Sequence, residues 1–142
     1  MKKFMVTDIR WASERELSFP FWQQWNKKNP LPRGFWQRVW EYPYVALRIP
    51  STEEVLDVGG TYPFVLFKNY PRAVSLDSRE LNLSDHPLHK GKWPPGSLVV
   101  ADAVHMPFSD DRFPYAFSVS ALEEMPDLVG VLREMLRVTR YR

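Results

Sequence analysis

Glu54-Val55-Leu56-Asp57-Val58-Gly59-Gly60-Thr61 is the stretch that decides how this chain folds. A short apolar run contains one acidic residue near its end, and two glycines follow almost at once. This pattern is typical of a buried parallel strand that stops beside a ligand, because glycines let the backbone turn sharply and approach a bound molecule closely. The stretch therefore predicts a strand that leads into a binding turn.

Three more segments along the chain resemble this first strand in composition. The four predicted strands cover residues 54–58, 73–77, 97–101 and 115–120. A short apolar crossover or an irregular loop separates each strand from the next. Strands that alternate with crossovers favour a parallel α/β sheet covered on both faces.

A helix is predicted over residues 127–140, after the fourth strand. Its spacing gives one apolar stripe, formed by Leu128, Val131, Leu132, Met135, Leu136 and Val138. The same spacing places the charged residues on the opposite side, which predicts that they face outward: Arg133, Glu134, Arg137 and Arg140. We expect the apolar stripe to pack on the sheet.

The first 50 residues differ from the rest in charge and aromatic content. They carry nine Lys and Arg against four Asp and Glu, a net charge of +5, whereas residues 51–142 carry ten against thirteen, a net charge of −3. Helical spacing predicts one helix that starts near Pro20 and a second over residues 35–49, bent or restarted at Pro43. We expect a helical, aromatic and basic cap over residues 1–50.

The aromatic side chains of this cap could stack on nucleic-acid bases while its basic side chains contact phosphates. A charge of +5 over 50 residues is modest for a nucleic-acid footprint. We therefore favour a cap whose aromatic residues pack on the sheet or on another subunit, and a nucleic-acid partner is the weakest of the alternatives.

Composition excludes several kinds of site. The chain has no cysteine, which rules out disulfides, thiolate zinc sites and a cysteine nucleophile. Its three histidines lack the close spacing of metal ligands, so we expect no metal site. No apolar run approaches the roughly 18 residues that span a bilayer. We expect a soluble, cytoplasmic protein with no membrane partner.

Polar residues follow successive strands of the predicted sheet. Asp57 lies near the end of the first strand, Asp77 ends the second, and Asp102 follows the third. In an open parallel sheet ligands bind beyond the carboxyl ends of the strands. Carboxylates at this edge suit a nucleoside that bears a positive charge better than a phosphate, which they would repel.

These segments together resemble the front half of a class I S-adenosylmethionine-dependent methyltransferase, in particular the small-molecule type often called type 11. The resemblance covers about 100 residues, from Trp40 to Arg140. The matching pieces, in the family's order, are Val55-Leu56-Asp57-Val58-Gly59-Gly60, Ala73-Val74-Ser75-Leu76-Asp77, Val99-Val100-Ala101-Asp102-Ala103, Met106-Pro107-Phe108-Ser109-Asp110-Asp111-Arg112-Phe113, Ala121-Leu122-Glu123-Glu124-Met125 and Leu132-Arg133-Glu134-Met135-Leu136-Arg137-Val138.

The resemblance implies a cofactor, S-adenosylmethionine, and residues that would hold its methionine and ribose parts. Asp57, Gly59 and Gly60 would border the methionine end, and Asp77 would hold both ribose hydroxyls. It also implies a shortened Rossmann-like, doubly wound parallel sheet of order 3-2-1-4. Residues 51–142 would form this nucleotide-binding domain, in one compact unit with the cap.

The resemblance also implies residues around the adenine and the sulfonium. Asp102 would face the adenine amino group, Ala103 would lie beside the ring, and Ser120 would lie near the sulfonium. Methyl transfer in this family depends largely on positioning the methyl group for in-line attack. We therefore assign no dedicated catalytic residue.

The chain departs from the family pattern in its turn and at its end. Thr61 and Pro63 stand where further glycines belong, and Pro114 replaces the acid that normally follows Phe113. The family's Pro-Gly-Gly turn and last three strands do not follow Arg142, which predicts a C-terminally truncated domain. The strand at residues 115–120 would then be an apolar edge, and such an edge aggregates unless something covers it.

The sequence therefore predicts a methyltransferase-like protein with a small-molecule acceptor. A partner subunit or a second copy would cover the edge strand at residues 115–120 and complete the site. The alternative is a catalytically inactive binding or assembly subunit that keeps the fold.

Overall fold

The computed structural model describes residues 19–30, 38–60, 69–78 and 98–140. These residues belong to two compact units, residues 1–48 and residues 49–142. Thr61 and Pro63 lie outside the described residues, as do the ends of several predicted segments. No helix of the described residues is both long and apolar enough to cross a membrane.

The first unit contains two described helices, α1 (Pro20–Lys28) and α2 (Arg38–Arg48). α1 begins at Pro20, as predicted. The fixed φ of proline suits the first helical position, and an N–H at that position would have no acceptor within the helix, so its absence costs no hydrogen bond. α2 continues through Pro43, so the expected restart at this proline is wrong. Stacking of Trp40 on Tyr44, with ring centroids 5.0 Å apart, spans the turn that contains the proline.

The second unit is built on a sheet of four parallel strands. The strands are β1 (Val55–Val58), β2 (Val74–Asp77), β3 (Leu98–Val100) and β4 (Tyr115–Phe117). Their order is β3-β2-β1-β4, which confirms the predicted Rossmann-like sheet. β1 is central and all four of its residues are buried, because a strand between two parallel neighbours has no open edge.

One face of the sheet is covered by α3 (Leu128–Val138). Val131 and Val138 of this helix are buried in a cluster with Leu56, Val58 and Leu76. The predicted stripe is wrong at its first position, since Leu128 keeps 44% of its surface exposed. Asp127 is the N-cap and not a helical residue, and its carboxylate accepts a hydrogen bond from the Gly130 N–H at 2.8 Å. A side-chain cap at this position stabilises a helix by about 1 kcal/mol.

The chain that leaves α3 returns alongside the segment before β4. Phe113 and Thr139 form a parallel bridge, in which the Phe113 N–H donates to Val138 O at 2.9 Å and the Arg140 N–H donates to Phe113 O at 2.8 Å. Phe113 is buried and anchors this end of the core. β4 is the last strand on its side of the described sheet, and its three residues are half-buried.

A charged pair ties the amino ends of the strands together. Arg112 precedes β4 and Glu54 precedes β1. The two terminal guanidinium nitrogens of Arg112, Nη1 and Nη2, donate to the carboxylate of Glu54 at 2.7 and 2.6 Å. The hydrogen bond from Arg112 lowers the pKa of Glu54 below its ordinary value. This two-point geometry is the stronger form of an arginine–carboxylate pair.

Candidate functional site

The turn after β1 is built on Gly59. Its φ is +78°, in the left-handed region that favours glycine, and its N–H donates to Leu76 O of β2 at 2.8 Å. A Cβ placed on Gly59 would collide with the side chain of Ala121, which lies in the loop beyond β4. Glycine is therefore required here for its conformation and for the space it leaves. We call residues 58–60 the glycine turn.

Gly60 is required for a second reason, the close approach of two polar side chains. A Cβ at this position would collide with Ser75 Oγ and Asp57 Oδ2. Asp57 is 5% exposed, so its carboxylate lies beneath the glycine turn and not on the open edge of the sheet. This placement corrects the prediction that three carboxylates line the edge of the sheet at successive strand ends. Asp57 supports the turn from below.

Two serine hydroxyls hold the glycine turn from the neighbouring strands. Ser118, just beyond β4, donates to Val58 O at 2.7 Å. Ser75 of β2 is 1% exposed and donates to Gly60 O at 3.2 Å. Sequence reasoning gave neither serine a role. Ser75 lies opposite Asp57 in the parallel register, a relation that the sequence alone does not give.

Asp77 ends β2 and is half-buried. Its backbone pairs with Val100 of β3, and its carbonyl accepts a hydrogen bond from the Ala101 N–H at 2.9 Å. Side chains two residues apart on a strand point to the same face. Asp77 thus lies on the same face as Ser75 and Asp57, one strand away from the glycine turn.

Asp102 and Ala103 begin the loop after β3. Asp102 Oδ1 accepts a hydrogen bond from the Val104 N–H at 3.0 Å, and Asp102 Oδ2 lies 3.7 Å from Nδ1 of His105. Both of these side chains are largely exposed. Ala103 is half-buried and packs against the apolar cluster under the sheet. The loop therefore presents Asp102 outward while Ala103 anchors it.

Ser120 lies in the loop beyond β4 with a φ of +47°, which is uncommon for a residue other than glycine. It is half-buried and stands between two residues that contact the glycine turn, Ser118 and Ala121. Non-glycine residues in this conformation tend to occur where the surrounding structure fixes them, often at binding sites. The contacts of Ser118 and Ala121 place this loop beside the glycine turn.

A partly buried ion pair on α3 holds the loop that follows Asp102. The Met106 N–H donates to Glu134 Oε2 at 2.8 Å, and the guanidinium of Arg137 donates to Met106 O at 3.0 Å and to Phe108 O at 2.7 Å. Glu134 and Arg137 also bond each other at 2.7 and 2.8 Å. The prediction that these two residues face outward is wrong, because the loop's backbone groups need partners and α3 supplies them.

The ion pair shifts the protonation of both side chains. The hydrogen bond from Arg137 is the largest cause that lowers the pKa of Glu134. The hydrogen bonds to Glu134 and then to Asp110 raise the pKa of Arg137. Both groups are therefore charged at neutral pH, and the loop between β3 and β4 is held by a fixed pair of charges.

The structure thus places the predicted residues in two groups. Gly59 and Gly60 form the glycine turn, with Asp57 beneath it and Ser120 in the neighbouring loop, and Asp77 and Asp102 follow the next strands outward. No cluster of three or more metal-ligating side chains occurs among the described residues. The arrangement offers acceptor oxygens beside a turn from which side chains are excluded, a combination suited to a nucleoside with hydroxyl and amino donors.

The parallel sheet and its strand order define a Rossmann-like α/β protein. Residues 56–142 match the family model for a methyltransferase domain of type 11, which is more than half of the chain. The chain therefore belongs to the class I S-adenosylmethionine-dependent methyltransferases, as the sequence motifs predicted.

Individual proteins agree with this assignment. Over 129 residues the chain is 29% identical to the methyltransferase GfsG of Streptomyces halstedii. This alignment covers 86% of this chain and 46% of GfsG. The chain is also similar to the solved structure of a presumed methyltransferase of Bacillus halodurans, with a TM-score of 0.52 and 25% identity. The match covers 68% of this chain and 46% of the Bacillus protein.

A third relative shows the fold alone. It is the presumed methyltransferase solved in complex with the Trm112 methyltransferase activator of Haloferax volcanii, with a TM-score of 0.57, 20% identity, and coverage of 84% of this chain and 54% of that one. The chain thus spans about half the length of the relatives it matches.

Proposed function

We propose that this chain binds S-adenosylmethionine at the carboxyl edge of its sheet and takes part in methyl transfer to a small-molecule acceptor. The observation that carries the proposal is the glycine turn with Asp77 one strand away. A Cβ on either glycine would collide with Ala121, Ser75 or Asp57, so both positions need glycine and the turn carries backbone without side chains there. Family membership supports the identity of that ligand.

Each described residue has a role in this proposal that its position supports. Asp77, at the end of β2, accepts hydrogen bonds from the ribose hydroxyls. Asp102, exposed in the loop after β3, accepts from the adenine amino group, with Ala103 beside the ring. Gly59 and Gly60 border the methionine part, and the loop that contains Ser120 lies nearest the sulfonium.

The cofactor supplies a methyl group that is already activated as a sulfonium. What the chain must contribute is position and charge: the acceptor atom has to approach the methyl group in line with the bond that breaks. Carboxylates at the edge favour a cationic nucleoside over one that bears phosphates. No acid or base is required of the chain itself, which agrees with the lack of an assigned catalytic residue.

We further propose that a partner chain or a second copy completes the substrate side. Two observations support this. One relative of the same fold was solved with an activator protein. β4 is the last strand of the described sheet on the side where a partner would add.

Calorimetric titration tests the proposal with two ligands that share adenosine. S-adenosylmethionine is expected to bind with micromolar affinity, and ATP is expected to bind at least tenfold more weakly because its phosphates meet the carboxylates. Absence of S-adenosylmethionine binding at millimolar concentration would contradict the proposal. That result would favour the alternative, an assembly subunit that keeps the fold without the cofactor.

A further inference from the structure

The two carbonyl groups that flank Gly59 in the glycine turn are both held by serine hydroxyls. Ser118 Oγ donates to Val58 O at 2.7 Å, and Ser75 Oγ donates to Gly60 O at 3.2 Å. The two serines come from opposite sides, since β4 and β2 are the two neighbours of β1. The glycine turn is therefore held between two strands by side chains and not only by its own backbone.

A turn made of two glycines needs such restraint. Glycine has more accessible backbone conformations than any other residue, so an unrestrained turn samples many arrangements. A peptide unit is planar, so fixing its carbonyl oxygen also fixes the direction of the N–H in the same plane. Bonds to Val58 O and Gly60 O thus orient the peptide units on both sides of the Gly59–Gly60 unit.

Packing alone does not explain this arrangement. Ser75 is 1% exposed and lies against Gly60, where an alanine would fill nearly the same space. A buried hydroxyl must find a partner, and the buried Ser75 and the half-buried Ser118 both use a carbonyl of the glycine turn. The choice of partner connects each serine to the region that borders the proposed ligand.

We propose that Ser75 and Ser118 are positioning residues that hold the glycine turn ready for the methionine end of the cofactor. The inference rests on the proposed function and adds a mechanism to it: the turn is preorganised by its neighbours, so less order has to be created when the ligand binds. Neither serine needs to touch the cofactor.

The test compares Ser118→Ala, Ser75→Ala and the double variant with a matched control. Thr139 is also buried, and its hydroxyl donates to a backbone carbonyl, that of Met135, at 2.6 Å. It lies at the C-terminal end of α3. Thr139→Val removes this hydroxyl without touching the glycine turn. Ser118→Thr keeps the donor and serves as the conservative variant.

Hydrogen exchange of the Gly59 amide gives a readout that needs no cofactor. This amide donates to Leu76 O at 2.8 Å and should be protected in the wild type. Its exchange should become at least about fivefold faster in each serine-to-alanine variant and stay unchanged in Thr139→Val. Unchanged exchange at Gly59 in both serine variants would overturn the inference, because the hydroxyls would then not restrain the turn.

Calorimetric titration with S-adenosylmethionine gives the second readout. Each serine-to-alanine variant should bind roughly 5- to 20-fold more weakly, Ser118→Thr should recover most of the loss, and Thr139→Val should match the wild type. Wild-type affinity in both serine variants would overturn this inference and leave the proposed function intact. A wild type that does not bind would overturn the proposed function, whatever the Gly59 exchange shows.

Discussion

Gly59 and Gly60 exclude side chains for two different physical reasons. At Gly59 the obstacle is a positive φ together with the side chain of Ala121, and at Gly60 it is the close packing of Ser75 and Asp57. The sequence gives no way to separate these reasons, because a pair of glycines looks the same in either case. Three-dimensional neighbours turn the motif into a testable set of contacts.

Replacing Gly59 with alanine should destabilise the fold. The left-handed conformation costs roughly 1–2 kcal/mol for alanine, and the collision with Ala121 adds to it. The double variant Gly59→Ala/Ala121→Gly should recover part of the loss, because the collision is removed while the conformational strain remains. Urea unfolding of both variants measures this difference. Equal stability of the single and double variants would show that Ala121 does not crowd the turn.

Among the elements, the loop after β3 and the helix α3 are joined by the Glu134–Arg137 pair, which bonds backbone groups of the loop. Helical periodicity predicts which positions of α3 are apolar, and Val131 and Val138 are buried as expected. It does not predict that two charged residues turn inward. That outcome depends on the backbone groups of Met106 and Phe108, which need partners when the loop packs against the helix.

Glu134→Gln should lower the free energy of unfolding by about 1–2 kcal/mol at neutral pH, because a charged acceptor is lost from two hydrogen-bonded groups. The pKa of Glu134 in the folded chain is below its ordinary value of 4.5. Its contribution is therefore full above that value and is lost as the pH falls through the lowered pKa. The gap between wild type and variant should shrink in the same window.

Chemical unfolding of both proteins at several pH values, from neutral to about pH 3, measures this gap. The exposed Glu123→Gln is the control and should change stability by less than about 0.5 kcal/mol. A gap that stays constant down to the lowest pH would show that the ionised carboxylate of Glu134 contributes nothing to the fold.

Asp127 fixes the start of the same helix. Its carboxylate accepts the Gly130 N–H at 2.8 Å, one of the amide groups that an α-helix leaves without an internal partner. Asp127→Ala should cost about 1 kcal/mol, whereas Asp127→Asn should cost only a few tenths because asparagine is also a good cap. Thermal unfolding separates the two variants. Equal losses would mean that charge, and not the cap hydrogen bond, determines the effect.

At the scale of the whole molecule, the sheet is the feature that the sequence predicts best. Four strand-like segments that alternate with crossovers predicted the parallel class, and the family resemblance predicted the order that the structure has. The serine bonds to Val58 O and Gly60 O could not be predicted, because they depend on the register between strands. The continuity of α2 through Pro43 could not be predicted either, since a proline normally argues against a continuous helix.

β4 leads to a prediction about the molecule in solution. Its three apolar residues end the described sheet on one side, and an open apolar edge invites association. We expect that a second copy or another chain covers it. Light scattering of the full chain should therefore give more than one copy per particle, or show precipitation. A full chain that stays soluble with one copy per particle would contradict this expectation.

The central claim is that acids at the carboxyl edge of the sheet bind an adenosyl cofactor. Calorimetric titration of S-adenosylmethionine into Asp77→Asn and Asp111→Asn tests it most directly. Each variant removes one carboxylate charge, but Asp111 precedes β4 at the opposite edge of the sheet. Asp77→Asn should weaken binding at least about tenfold, corresponding to about 1.4 kcal/mol, and Asp111→Asn should leave it within about twofold. Equal affinities in the two variants would contradict the claim.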